Sequence, residues 1–156
     1  MVYKGGGQFD EDSPHIVLHH PSDSGNLGTI LRRRSAGLKN IAIIRPAVDS
    51  TIPAWCARRW ARRSAQYCAT SIPSINTARS IRCAGFSRLL TGAVPLDEAV
   101  QKVDGPFSLV FGNEASGLPD AFAQMGVSTL IPHSHQIDSL NLAIAAGIGM
   151  YAFTRR

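Results

Sequence analysis

Two apolar runs in the second half of the chain each end in small and polar residues. Ser108 to Phe111 leads into Gly-Asn-Glu-Ala-Ser-Gly-Leu at 112–118. Thr129 to Ile131 leads into a proline and then, at 139–141, into Ser-Leu-Asn. Because glycine has no side chain, the backbone of such turns can approach a ligand closely, and open α/β sheets bind ligands beyond the ends of their strands. The pattern predicts a ligand site formed by the turns that follow two strands.

A third polar segment lies near the start of the chain, where residues 26–32 read Asn-Leu-Gly-Thr-Ile-Leu-Arg. Asn26 could bind a phosphate or orient Arg32, whose planar guanidinium suits phosphate recognition. Both side chains also have ordinary structural roles. Asn26 could cap a helix, and Arg32 could be a solvated helix residue beside Arg33 and Arg34. The residues alone leave these alternatives open.

The elements that would position these segments alternate between strands and helices. Strands are predicted at His15 to His19, Asn40 to Ile44, Ser108 to Phe111 and Thr129 to Ile131. Helices are predicted from Thr29 to Ala36 with Ser24 or Asn26 as the cap and Gly37 at the end, from Pro119 to Met125, and from Asp138 or Ser139 to about Phe153. Such alternation predicts an α/β fold with a mostly parallel sheet and helices on both faces.

Length and hydropathy favour a single domain that does not cross a membrane. At 156 residues and 44% hydrophobic content the chain suits one domain, expected at 15–156 after a flexible segment at 1–14. The apolar stretch Leu140 to Phe153 has fourteen residues, fewer than the roughly 20 that a bilayer crossing needs. Residues 1–12 show no signal or transit peptide, so a cytoplasmic location is expected.

Several other chemistries find no support in the sequence. His133 and His135 form a His-x-His pair without a third ligand nearby, so no metal site is expected. The Gly-x-Gly-x-x-Gly fingerprint of dinucleotide-binding proteins and the Gly-x-Ser-x-Gly motif of serine hydrolases are both absent. Cys56, Cys68 and Cys83 match no zinc or redox spacing and are expected to be free thiols.

The positive charge of the chain is concentrated in one window, residues 50–89. This window holds seven arginines and no lysine, aspartate or glutamate, whereas the rest of the chain carries nine basic and eleven acidic side chains. Three explanations compete: a basic RNA-binding insert, a disordered arginine-rich linker, and a segment translated out of frame. If the window is out of frame, its arginines were not selected to contact phosphates, and the net charge of +5 is weak evidence for RNA binding.

Residues 26–32, 111–118 and 131–141 together resemble the three motifs of the SPOUT superfamily, specifically the TrmH-like RNA ribose 2'-O-methyltransferases. The resemblance covers residues 15–49 and 90–153. It implies transfer of a methyl group from S-adenosyl-L-methionine to a ribose 2'-hydroxyl of tRNA or rRNA. It also implies a homodimer and a C-terminal trefoil knot, in which the third segment passes through a loop and the crossings form the cofactor pocket.

The resemblance divides the candidate site residues into two groups. The residues expected to take part in catalysis are Asn26, Arg32, Glu114, Ser139 and Asn141. The residues expected to bind the cofactor are Leu90, Thr91, Gly92, Gly112, Asn113, Gly117, Ile131, Pro132, Ser139 and Leu140. The resemblance places Arg32 at the 2'-hydroxyl or its phosphate, but a guanidinium is a poor base, so a shifted pKa or a phosphate relay would be needed. Structural roles compete for Glu114, as an acceptor for backbone N–H groups, and for Ser139, as a helix cap.

The chain departs from the family pattern in two places. Arg33-Arg34-Ser35 stands where small or apolar residues are usual, and the window 50–89 replaces a helix and a strand. With one permitted choice of codons, a single-nucleotide shift restores family-like sequence at three places in the window, so we interpret it as frameshifted. The gene sequence tests this interpretation.

These departures leave two rival functions. One is a catalytically inactive SPOUT remnant that binds cofactor or RNA, or only dimerises, because its middle segment is altered. The other is a generic arginine-rich RNA-binding module, whose binding would weaken steeply with salt.

Overall fold

The computed structural model describes residues 13–33, 38, 40–44, 47, 69–72, 83–86, 92–133 and 140–155. For residues 32, 33, 69–72 and 83–86 it describes the backbone alone. Three predicted site residues, Leu90, Thr91 and Ser139, lie outside the described residues, as does most of the window 50–89.

The described strands form one parallel sheet of seven strands. They are β1 (His15–His19), β2 (Asn40–Ile44), β3 (Ala69–Ile72), β4 (Cys83–Phe86), β5 (Val94–Pro95), β6 (Ser108–Phe111) and β7 (Gly126–Leu130). Their order is β3-β2-β1-β6-β4-β7-β5, and every neighbouring pair is parallel. In the centre of the sheet, Val17 of β1 lies beside Ala42 of β2 and Val110 of β6. The carboxyl ends of all the strands therefore lie at one edge of the sheet.

The central strands are apolar along their whole length because both faces of the sheet are covered. Every residue of β1, β2 and β6 is buried. Strands of a parallel sheet that is covered on both sides show continuous apolar runs instead of alternation. This explains why short unbroken runs in the sequence indicated these strands correctly.

Three α-helices and one 3₁₀ helix flank the sheet in the described ranges. They are α1 (Ser24–Arg33), α2 (Leu96–Lys102), the 3₁₀ helix (Asp120–Gln124) and α3 (Leu142–Thr154). Both α1 and α2 pack against α3. The larger core lies between these α-helices and one face of the sheet, and it includes Ile16, Leu18, Leu27, Ile30, Ile41, Ala99, Leu109, Phe111, Ala146, Met150 and Phe153. The smaller core lies on the opposite face and consists of Val17, Ala42, Ile44, Val110, Leu118 and Phe122.

The predicted parallel sheet is confirmed, and so are the strands at 15–19, 40–44 and 108–111. The predicted strand Thr129 to Ile131 is wrong at both ends, since β7 runs from Gly126 to Leu130. The predicted helix from Pro119 to Met125 is a 3₁₀ helix, with Pro119 as its cap. Strands β3, β4 and β5 and helix α2 were not predicted from the sequence. Two of these strands lie inside the basic window.

The predicted caps of the two longer helices are also wrong. Helix α1 begins at Ser24 because the Asp23 side chain caps it: Asp23 Oδ1 accepts the Asn26 N–H at 2.6 Å. Helix α3 begins at Leu142, and its cap is Asn141, not Asp138 or Ser139. No helix in the described ranges is long and apolar enough to span a bilayer.

Candidate active site

The loop that follows β6 turns back on itself at two glycines. Asn113 and Gly117 exchange two backbone hydrogen bonds, of 3.1 and 2.9 Å. Gly117 has a φ of +71°, which disfavours residues with a side chain. A Cβ atom at Gly112 would overlap the Gly117 carbonyl carbon and lie 2.6 Å from the Leu118 nitrogen. Both glycines are therefore required by the close approach of backbone to backbone in this loop.

The side chain of Asn113 fixes the loop to the end of strand β1. Its Nδ2 group donates to the His20 carbonyl at 2.6 Å. Its Oδ1 atom accepts the backbone N–H groups of Ala115 and Ser116 at 2.8 and 3.1 Å. His20 has a φ of +49°, and its N–H donates to the Ile44 carbonyl at the end of β2. One amide thus ties the glycine-rich loop to the neighbouring strand ends.

Glu114, at the tip of this loop, accepts hydrogen bonds from two other segments. Ser22 donates to Oε2 from its hydroxyl at 2.6 Å and from its backbone N–H at 3.2 Å. The Asn26 Nδ2 group donates to Oε1 at 3.2 Å. Partial burial acts to raise the pKa of the carboxyl, but these bonds and one from its own N–H outweigh it and hold the pKa below its ordinary value. Glu114 is therefore an anion and a hydrogen-bond acceptor at neutral pH.

The hydrogen-bond chain continues from Asn26 to the start of the last helix. Asn141 Nδ2 donates to Asn26 Oδ1 at 2.8 Å. Asn141 Oδ1 accepts the N–H groups of Ala143 and Ile144 at 2.9 and 3.3 Å, so the same side chain caps α3. Its two ends therefore serve two different partners, the site and the helix.

Three separated segments thus meet through Glu114, Asn26 and Asn141. The bonds join residues 88 and 115 positions apart in the chain. We call this group, together with Ser22, the polar relay. It presents a carboxylate and two amides in a row at the carboxyl ends of the central strands, where they can hydrogen-bond hydroxyl or amino groups of a ligand.

The structure brings together five of the predicted site residues and leaves the others apart. Asn26, Glu114 and Asn141 form the polar relay, and Gly112, Asn113 and Gly117 form the adjoining loop. Gly92 lies in a turn before β5, with a φ of +78°. Ile131 and Pro132 directly follow β7, and Leu140 directly precedes Asn141; none of these four belongs to the polar relay. Arg32 lies in the last turn of α1, and its side chain is outside the described part of the chain.

Sequence reasoning missed Ser22, Asp23 and His20. Asp23 could have been found, because aspartate is a preferred cap and it stands directly before the first helical residue. Ser22 gave no signal, since its partner is 92 residues away. His20 contributes its main-chain carbonyl, which no residue type indicates.

The neighbouring residue His19 is buried and neutral. Its ring stacks on His20 at 3.8 Å between centroids and meets Phe122 edge-on at 5.4 Å. Burial, and secondly the nearby His20, lower the pKa of His19. Its Nδ1 atom has no hydrogen-bond partner among the described residues.

No group of three or more potential metal ligands occurs among the described residues. His133 Nδ1 lies 2.8 Å from the Ile131 carbonyl oxygen, which gives this side chain a local structural partner.

Comparisons with known proteins support a single family. Residues 13–151 match the SpoU rRNA Methylase family. The chain is 32% identical over 153 residues to an uncharacterized tRNA/rRNA methyltransferase of Synechocystis sp., covering 90% of this chain and 53% of the relative. It is 31% identical over 151 residues to the 23S rRNA (adenosine(1067)-2'-O)-methyltransferase of Streptomyces laurentii, covering 90% and 54%. The chain thus spans about half the length of these relatives.

Solved structures agree with the family match. An AdoMet-bound rRNA methyltransferase from Sinorhizobium meliloti has a TM-score of 0.76 and 26% identity, covering 97% of this chain and 59% of that one. A putative RNA methyltransferase from Bacillus anthracis has a TM-score of 0.75 and 25% identity, covering 92% and 93%. From the family match and these likenesses, the chain belongs to the SpoU rRNA methylase family.

Proposed function

We propose that this chain transfers a methyl group from S-adenosyl-L-methionine to the 2'-hydroxyl of a ribose in tRNA or rRNA. The observation that carries the proposal is the polar relay, which joins Asn26, Glu114 and Asn141 from the three motifs. The names of the relatives support the same chemistry, since one of them is a 23S rRNA 2'-O-methyltransferase.

The glycine-rich loop after β6 suits a nucleoside cofactor. A Cβ at Gly112 would fill the space at the loop's backbone, and Asn113 holds the loop against the end of β1. A ligand bound beside such a loop can be recognised by main-chain N–H and C=O groups. We propose that Gly112, Asn113 and Gly117 hold the cofactor together with Leu90, Thr91, Gly92, Ile131, Pro132, Ser139 and Leu140.

Methyl transfer is an in-line displacement, in which the methyl–sulfur bond breaks as the bond from the ribose oxygen forms and the hydroxyl proton leaves. Holding the two reactants in line contributes most to such a reaction. In the proposal, the amides of Asn26 and Asn141 orient the ribose, and the anionic Glu114 accepts a hydrogen bond from it or from Arg32. Arg32 binds the adjacent phosphate, and Ser139 adds a hydroxyl donor.

The proposal includes a homodimer formed through α3. Ile144, Ile148 and Tyr151 are exposed although they are large and apolar, and Tyr151 is 62% exposed. Their spacing places them along one side of the helix. A stripe of this kind on a helix that packs at the edge of the domain suits contact with a second copy. Substitution Ile148→Glu is expected to convert a dimer to monomers in sedimentation experiments, and a wild-type monomer would contradict this part.

The proposal also includes the trefoil knot, a single domain at 15–156 and a cytoplasmic location. The knot rests on the resemblance of the segment from Ile131 to Asn141 to the third motif of the family. A crystal structure that traces residues 134–139 tests whether this segment passes through a loop.

The decisive experiment for the activity uses S-adenosyl-L-methionine with a tritiated methyl group and unfractionated bacterial tRNA and rRNA. We expect label in RNA, and dinucleotides that resist alkaline cleavage, because a methylated 2'-oxygen cannot attack the phosphate. Asn26→Ala should abolish transfer, whereas Ser24→Ala, an exposed position two residues earlier, is the control. Binding of the cofactor in calorimetry without transfer to RNA would favour the inactive remnant instead.

A further inference from the structure

We propose that Ser22 is a positioning residue for this site: it holds one oxygen of the Glu114 carboxylate, so that the other oxygen fixes the orientation of the Asn26 and Asn141 amides. The inference rests on the proposed function, because these amides are the groups proposed to orient the ribose. It adds a residue that lies outside the three motifs.

Ser22 is placed to hold Glu114 from two directions. Its hydroxyl and its backbone N–H both donate to the same carboxylate oxygen, Oε2, at 2.6 and 3.2 Å. Hydrogen bonds to an ionised acceptor are shorter and stronger than those between neutral groups. Because two donors from one residue converge on one oxygen, rotation of the Glu114 side chain would break both bonds. Only Oε1 then faces Asn26.

The charge on Glu114 sets the direction of every later bond in the polar relay. An ionised carboxylate only accepts hydrogen bonds, so Asn26 presents its Nδ2 group to Oε1. The Oδ1 atom of Asn26 therefore faces Asn141 and accepts its Nδ2 group at 2.8 Å. Asn141 Oδ1 is then left to accept the Ala143 N–H at the start of α3. The orientation of both amides thus follows from the carboxylate that Ser22 holds.

The surroundings of Glu114 leave this role to neutral donors. Its pKa is affected by burial and by hydrogen bonds from Ser22, Asn26 and its own N–H. The titratable group next to Ser22, Asp23, has its Oδ1 atom engaged by the Asn26 N–H at 2.6 Å. Ser22 itself is exposed, so water can replace part of what its hydroxyl contributes. The backbone N–H also survives any substitution, and the effect of losing the hydroxyl is therefore graded.

The first test does not depend on activity. The titration of the Glu114 carboxyl is followed by NMR in the purified chain for wild type, Ser22→Ala, Ser22→Thr and Ser24→Ala. Ser22→Ala should raise the pKa of Glu114, because it removes a donor to the charged form, and Ser22→Thr should keep it low. Ser24→Ala removes an exposed hydroxyl two residues away and should not shift it. An unchanged titration in Ser22→Ala overturns the proposal.

The second test measures methyl transfer from S-adenosyl-L-methionine to unfractionated tRNA and rRNA. Ser22→Ala should lower kcat/KM about 5- to 10-fold, with a larger loss at acid pH, and Ser22→Thr should recover most of it. On a Glu114→Ala background the Ser22→Ala substitution should have no further effect on cofactor affinity. An equal loss on both backgrounds overturns the positioning role. A wild-type chain that transfers no methyl group overturns the proposed function, while the titration still decides the role of Ser22.

Discussion

The same substitution, glycine to alanine, should have opposite effects at two positions of the site. At Gly112 a Cβ would lie 2.6 Å from the Leu118 nitrogen and 2.7 Å from the Gly117 oxygen, both backbone atoms that cannot rotate away. At Gly28, inside α1, a Cβ would meet nothing within 4 Å. Gly112→Ala should therefore strain the loop, whereas Gly28→Ala should add helix propensity without a clash.

The expected magnitudes follow from these geometries. Overpacking costs about 1–3 kcal/mol, which corresponds to a loss of roughly 2–12 °C in Tm for a chain of this size. Alanine in place of glycine in a helix interior contributes about 0.5–1 kcal/mol. Equilibrium urea unfolding measures both free energies, and calorimetry with S-adenosyl-L-methionine should show that Gly112→Ala also loses cofactor binding. If Gly112→Ala were as stable as wild type, or Gly28→Ala the less stable of the two, the reasoning would be refuted.

Three further predictions concern single side chains. Asn141→Ala should cost about 1 kcal/mol in urea unfolding by removing the α3 cap, while Asn141→Asp should keep the cap and lose only the bond to Asn26. The free energy of unfolding should fall as pH drops below 6.5, because the unfolded chain binds a proton that buried His19 does not; the slope should lessen in His19→Asn, and an unchanged slope would exclude His19 as the cause. Lys102→Ala should change stability by less than about 0.5 kcal/mol in the same assay, since its ion pair with Glu98 is exposed; a larger loss would contradict this.

Sequence patterns indicated the buried centre of the fold because its signal is local. The strands at 15–19, 40–44 and 108–111 are short apolar runs, and burial on both faces is what produces such runs. The helix starts were harder, since a cap depends on which of several neighbouring polar residues turns back to the first N–H groups. Asp23 and Asn141 do so, whereas Ser24, Asn26, Asp138 and Ser139 were the residues expected.

The polar relay could be predicted only in part. The residue types of Asn26, Glu114 and Asn141 were identified through the resemblance to a family, and the structure joins them directly. Ser22 could not be identified in this way, because its role depends on a contact across 92 residues. Strands β3 and β4 were missed because the basic window shows neither alternation nor an apolar run of useful length.

The position of β4 determines how far apart the two ligand-facing loops stand. This strand lies between β6 and β7 and pairs with both in register, Cys83 beside Ser108 on one side and Gly126 on the other. Neighbouring strands are about 4.8 Å apart, so the turn after β6 and the turn after β7 are separated by about 10 Å. The width of the crevice between them is therefore set by four residues that contribute nothing to its chemistry. Excising that strand would bring its two neighbours together and close the crevice.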